Sequence, residues 1–175
     1  MVVGARRPKK HHFGIPAQIS GMAGVYYVAY ELSRRGYIAL PTNRNVAGFD
    51  IIASNQKGLR HTTLQVKTLQ SKGNYWPINR PVPDYMSTSS RAFYIFARFD
   101  KKQERFECFI ASGKDVAEQV GGWVRAWYKT HRKTTQPDSW TYGWCLPKGK
   151  EKSYLNRWDK LKLDERIYAA GSFSR

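Results

Sequence analysis

Acidic residues are scarce in this sequence: 13 Asp and Glu stand against 30 Lys and Arg in 175 residues, a formal net charge of +17. Such an excess costs self-repulsion unless a polyanion compensates it, so nucleic acid is the first candidate partner and an anionic membrane surface the second. A long basic amphipathic helix with a greasy face is missing, which demotes the membrane. No apolar run approaches the roughly 20 residues of a membrane span. Arg6, Arg7, Lys9 and Lys10 near the start are followed by no apolar stretch of the kind a secretory signal carries. The expectation is a cytoplasmic protein that engages no membrane. Cysteine is nearly absent: Cys108 and Cys145 form neither a C-x-x-C pair nor a metal-ligand spacing and read as plain thiols. The adjacent His11 and His12 cannot share one face of a helix or strand, which argues against a metal site there. Also missing are a Walker-type phosphate loop, a zinc ligand set, a Gly-x-Ser-x-Gly elbow and any internal repeat.

What is present supports a packed core. Hydrophobic content is 41% and aromatic content 14%, and the length suits one domain, residues 1–175, with a basic arm over about 1–14. A helix is predicted from Ile19 to Arg35, with Val25, Val28, Ala29 and Leu32 on its apolar stripe, Ser20 as N-cap and Gly36 as stop. Glu31 flanks that stripe and reads as a solvated residue paired with Arg34 or Arg35. Tyr37 to Leu40 reads as a strand. The polar loop after it, with Asn43 and Arg44, suits DNA contact.

Residues 48–68 carry the chemistry. Gly48-Phe49-Asp50-Ile51-Ile52-Ala53, a polar turn from Ser54 to Gly58, and Leu64-Gln65-Val66-Lys67-Thr68 read as a strand, a turn and a second strand. Gln65 and Lys67 are two apart and project from the same face, with Asp50 at the start of the partner strand. Read from the residues alone, this is either a half-solvated edge strand or three polar groups converging on one site.

The order of parts, helix, strand, Gly-x-Asp, then Gln-x-Lys, resembles the restriction-endonuclease-like, PD-(D/E)xK, superfamily, over roughly residues 20–110. A looser likeness continues at Tyr154-Leu155-Asn156-Arg157-Trp158-Asp159. The resemblance implies an α/β fold with a mixed central sheet of about five strands flanked by helices. It implies a metal-dependent DNA endonuclease with Asp50, Gln65 and Lys67 as catalytic residues. Mg²⁺ or Mn²⁺ would be held by Asp50, Gln65 and the main-chain carbonyl of Val66. One departure stands out. Relatives of this kind carry Glu directly after the glycine that here is Gly24, and this chain has Val25, leaving Glu31 as the acid remaining on the helix. A DNA-binding protein with a degenerate site is therefore the alternative, and an RNA-binding or RNA-processing module a third. The expected partner is duplex DNA, contacted by Arg34, Arg35, Asn43, Arg44, Lys72, Lys129, Arg132 and Lys133, and a homodimer is left open.

The remaining chain reads as supporting structure. Leu69 to Arg91, with three prolines, is too long for an ordinary connector and is expected to be a functional flap. Ala92–Phe99 and Arg105–Ala111 form a second predicted hairpin. In the C-terminal extension, about 112–175, a helix from Ser112 to Val120 is followed, after Gly121-Gly122, by a second piece from Trp123 to His131. Trp123, Ala126 and Trp127 would share a core face there. Trp140, Tyr142 and Trp144 alternate as on one face of a strand and read as core. A terminal helix from Tyr154 to Leu163 would dock Trp158 and Leu161 on the sheet.

Overall fold

In a computed structural model, residues 16–43, 48–70, 73–78, 82–130 and 142–164 are described. They form a five-stranded mixed sheet in the order β1 (Ile38–Pro41), β2 (Ile51–Ser54), β3 (His61–Leu69), β5 (Ala92–Asp100), β6 (Arg105–Ser112). The expected α/β class, a mixed central sheet with helices on its flanks, is the one observed. β1, β2 and β3 pair antiparallel, β3 and β5 pair parallel, and β5 and β6 form the second hairpin. The first hairpin turns at Gly58, φ +71°, where glycine takes the left-handed conformation at no steric cost.

β5 lies inside the sheet, and Ala92 to Ala97 are buried on both its faces, which is why this strand is a continuous apolar run rather than an alternating one. Leu64, Val66, Ile95 and Ile110 face a core closed by α1 (Ala17–Ser33) and by Trp158, Leu161 and Leu163. Tyr94, Phe96 and Phe109 face a second core beneath α3 (Gly113–Thr130), α2 (Asp84–Thr88) and a two-stranded ribbon of β4 (Tyr75–Ile78) with β7 (Tyr142–Cys145).

Several expectations are corrected. The segment between β3 and β5, expected to be a functional flap, builds core in its described residues: Trp76, Ile78 and Met86 are buried, and the Trp76 ring lies against Phe96 with centroids 5.4 Å apart, while its Tyr85 reaches the site described below. A parallel strand pair needs a long crossover, and here the crossover carries the second core layer. Trp144 is core as expected; Trp140 lies outside the described residues. The pair Gly121-Gly122 does not divide α3. Val116 and Val120 anchor the helix, and Gln119 bridges both main-chain groups of Cys145 at 2.9 Å, which offsets the roughly 1 kcal/mol that each glycine costs. The expected capping by Ser112 is present, its Oγ accepting from the Asp115 amide at 3.0 Å. Trp123 is exposed, not core. α1 starts earlier than predicted, after Pro16, and Ser20 sits inside the helix with its hydroxyl donating to Ala17 O at 3.0 Å. Gly36, φ +85°, ends that helix as predicted, with the amide of Tyr37 returning to Leu32 O at 3.1 Å. The terminal segment is a short 3-10 turn, Trp158–Leu161, docked as expected through those two side chains.

Candidate active site

Asp50 lies one residue ahead of β2, where that strand ends and β3 continues without a neighbour on that side. Its amide donates to Leu64 O at 2.8 Å, and its Oδ2 accepts from the Val66 amide at 2.7 Å and from Gln65 Nε2 at 2.5 Å. The carboxylate thus takes over the ladder beyond the last strand pair, Ile51 opposite Leu64, and satisfies a β3 donor that would otherwise be left at an open edge. Main-chain groups on both sides fix its position. Leu64 and Val66 alternate into the core under α1, while Asp50, Gln65, Val66 and Lys67 all line one cavity of about 230 Å³. Thr42 and Asn43 from the loop after β1, and Gly21, Met22 and Val25 from α1, complete its wall. Thr42 is braced there, its amide donating to Asp50 O and its hydroxyl to Phe49 O, each at 2.9 Å.

The rotation of α1 is set by Gly24. A Cβ at that position would stand 2.1 Å from Thr68 Oγ1, so the helix approaches β3 this closely because the residue is glycine. The next residue, Val25, then faces the cavity. Glu31 is six residues on, about 9 Å further along the helix axis, and does not line the cavity. It is 7% exposed, buried where a solvated flank was expected, and it pairs with both Arg34 (3.0 Å to Nε) and Arg35. Those two hydrogen bonds outweigh burial, which alone would raise its carboxyl, and hold it below the usual glutamate range.

The electrostatics of the cavity differ from those of Glu31. Burial pushes the Asp50 carboxyl above its ordinary value, against the pull of the Val66 amide, the Lys67 charge and the Gln65 amide. Burial likewise lowers the Lys67 ammonium, and Asp50 only partly restores it. Desolvation dominates both, so the two groups form a poorly hydrated pair whose charges act strongly on anything entering beside them. Tyr85, from α2, packs its hydroxyl into the space a side chain at Gly48 would fill: a Cβ there would lie 2.0 Å from it. The phenol is raised by burial and by the negative charge of Asp50. Tyr85 had no signal in the sequence beyond its place in an aromatic segment, and Met22 none at all.

Among the expected DNA contacts, Asn43 lines the cavity and Lys129 is exposed on the last turn of α3. Arg34 is half exposed and bound to Glu31. Arg35 donates to Glu31 O at 2.7 Å as well as to the Glu31 carboxylate, and its guanidinium lies 4.8 Å over the Trp158 ring. That ring contact ties the end of α1 to the C-terminal segment. Arg44, Lys72, Arg132 and Lys133 lie outside the described residues.

Fold and site together define an α/β protein with a desolvated Asp–Lys pair in a cleft at the open edge of a mixed sheet. No family model and no curated protein matches the chain. Among solved structures it is similar to a bacterial homing endonuclease, with a TM-score of 0.49 and 14% identity, over 85% of this chain and 91% of that one.

Proposed function

We propose that the protein is a metal-dependent DNA endonuclease of the PD-(D/E)xK type, hydrolysing phosphodiester bonds at the cleft of Asp50, Gln65 and Lys67. The observation that carries this reading is the fixed carboxylate of Asp50 in one cavity with Lys67, in a chain of net charge +17. The donors fit a hard cation of the Mg²⁺ kind, which takes one or two carboxylates, keeps several waters and shares the substrate phosphate. Asp50 would hold it, with the side-chain oxygen of Gln65 and the carbonyl of Val66. When bound, such an ion supplies Lewis acidity and charge neutralisation at the phosphate.

The protein's own groups have separable roles. Lys67, poorly hydrated, stabilises the negative charge that develops on the scissile phosphate, and does so more strongly than it would in water. The Val66 amide orients Asp50 without a rearrangement during the reaction. Thr42 and Asn43 offer polar contacts to the sugar-phosphate backbone at the rim.

A second reading has its own observation. Val25 occupies the cavity wall where relatives of the resembled kind carry an acid, so the described cavity offers one carboxylate, and a DNA-binding protein with an inefficient site is the alternative. Plasmid nicking in Mg²⁺ or Mn²⁺, against a chelator control, separates the two. Cleavage that is metal-dependent and lost in Lys67→Ala supports the nuclease. DNA binding with no nicking under any divalent ion supports the alternative.

A further inference from the structure

α1 is apolar on the side that faces away from the sheet as well as on the side that packs against it. From Ala17 to Tyr30 it contains no charged residue, in a chain with 30 Lys and Arg. Val25, Val28 and Leu32 pack on the sheet. On the outer side Ile19, Tyr26 and Tyr30 are 56%, 60% and 61% exposed, and with Ala23 they fall at i, i+4, i+7 and i+11, one continuous stripe. A helix that is apolar all round is normally covered all round, and exposed apolar patches of this kind mark association surfaces.

We propose that this stripe is a homodimer interface, in which α1 packs antiparallel against α1 of a second copy about a two-fold axis. The stripe is self-complementary. Running antiparallel about a point between Ala23 and Tyr26, it sets Ile19 against Tyr30 of the second copy and the small Ala23 against its Tyr26, so every large side chain meets a partner and the small one makes room for a ring. Charge selects the occupant. Two bodies of +17 repel each other wherever their basic surfaces meet, and the uncharged outer face of α1 is where they approach without opposing lysines and arginines. A polyanion such as DNA has no charged group to meet there. Tyrosine is also among the residues enriched at protein interfaces. The two tyrosines and the isoleucine expose on the order of 400 Å², about half of the roughly 800 Å² that each partner contributes to a standard interface. An interface of that extent fits a reversible, concentration-dependent dimer rather than an obligate one. Because Gly21, Met22 and Val25 of the same helix line the candidate active site, the pairing also sets the separation of two clefts. The inference does not depend on what the cleft does.

Sedimentation velocity of the full chain, from about 1 to 100 µM and at low and high salt, tests it. The expected result is a shift from monomer to dimer with concentration. High salt should favour the dimer, because screening removes the repulsion while the apolar contact is kept. Tyr26→Lys with Tyr30→Lys should weaken association by about tenfold or more. Tyr26→Ser with Tyr30→Ser should also weaken it, without adding charge, and decides the matter if the lysine variant is poorly folded. Circular dichroism and the unfolding midpoint of the serine variant should match wild type at a concentration where wild type is monomeric. A monomer throughout, a dimer indifferent to both double variants, or a dimer formed only when DNA is added would each overturn the proposal.

Discussion

Replacing Val25 by glutamate puts the geometry of the cleft to its most direct test. Val25 is 8% exposed and lines the cavity with Asp50 and Lys67. The substitution removes about 1.5–3 kcal/mol of apolar burial and adds the cost of desolvating a carboxylate, partly offset by Lys67 and increased by the like charge of Asp50. A loss of about 2–5 kcal/mol of stability follows in the absence of a divalent ion. With Mg²⁺ or Mn²⁺ present, two carboxylates in one cavity should bind the ion more tightly than Asp50 alone. An ion at a hundred times its dissociation constant restores about 2.7 kcal/mol. The assay is denaturant unfolding of wild type and Val25→Glu with and without the ion, calorimetric titration of each, and plasmid nicking alongside. The expected signature is a variant less stable than wild type in chelator, with a larger metal-dependent gain in stability and a measurable heat of binding. A variant destabilised equally in chelator and in metal, with no binding heat, would refute the placement of position 25 beside Asp50.

Three further outcomes are expected. Asp50→Asn keeps an acceptor for the Val66 amide, so it and Lys67→Ala should abolish cleavage while changing DNA affinity less than about threefold, since the basic surface supplies the binding; parallel gel-shift and nicking assays check this. Affinity for duplex DNA should fall steeply with salt, as a protein releasing several counterions requires, and a log–log slope near zero would contradict the partner assignment. Glu31→Gln should leave nicking unchanged and cost about 1–3 kcal/mol of stability. Burial alone would raise the Glu31 carboxyl, but its arginine partners hold it below the ordinary glutamate value of 4.5. Its contribution is therefore complete above that pH and lost as pH falls through the lower folded value, so the gap between variant and wild type in unfolding curves should close in acid.

Much of the architecture follows from local chemistry. Period-two alternation brings Gln65 and Lys67 to one side of β3, Gly58 makes the turn that returns the chain beside β2, and Gly36 stops α1, because each depends on neighbours within a few residues. The apolar runs of β5 and β6 announce the second hairpin in the same way. What lay beyond reach depends on contacts distant in sequence. The resemblance points to position 25 as the helix residue at the cleft, but helical periodicity alone only sets Val25 on an apolar stripe; the close approach of Gly24 to Thr68 turns it to the cleft by fixing the rotation of α1 on β3. The same holds for Arg35, whose guanidinium bonds Glu31 and stacks over the Trp158 ring, and for the crossover after β3, which β7 helps to bury by arriving from the other end of the chain to pair with β4. Trp123 shows the limit from the opposite side: helical spacing placed it on an apolar face, but a periodic pattern states only which residues lie together, and whether that face meets a core is decided by what packs against the helix.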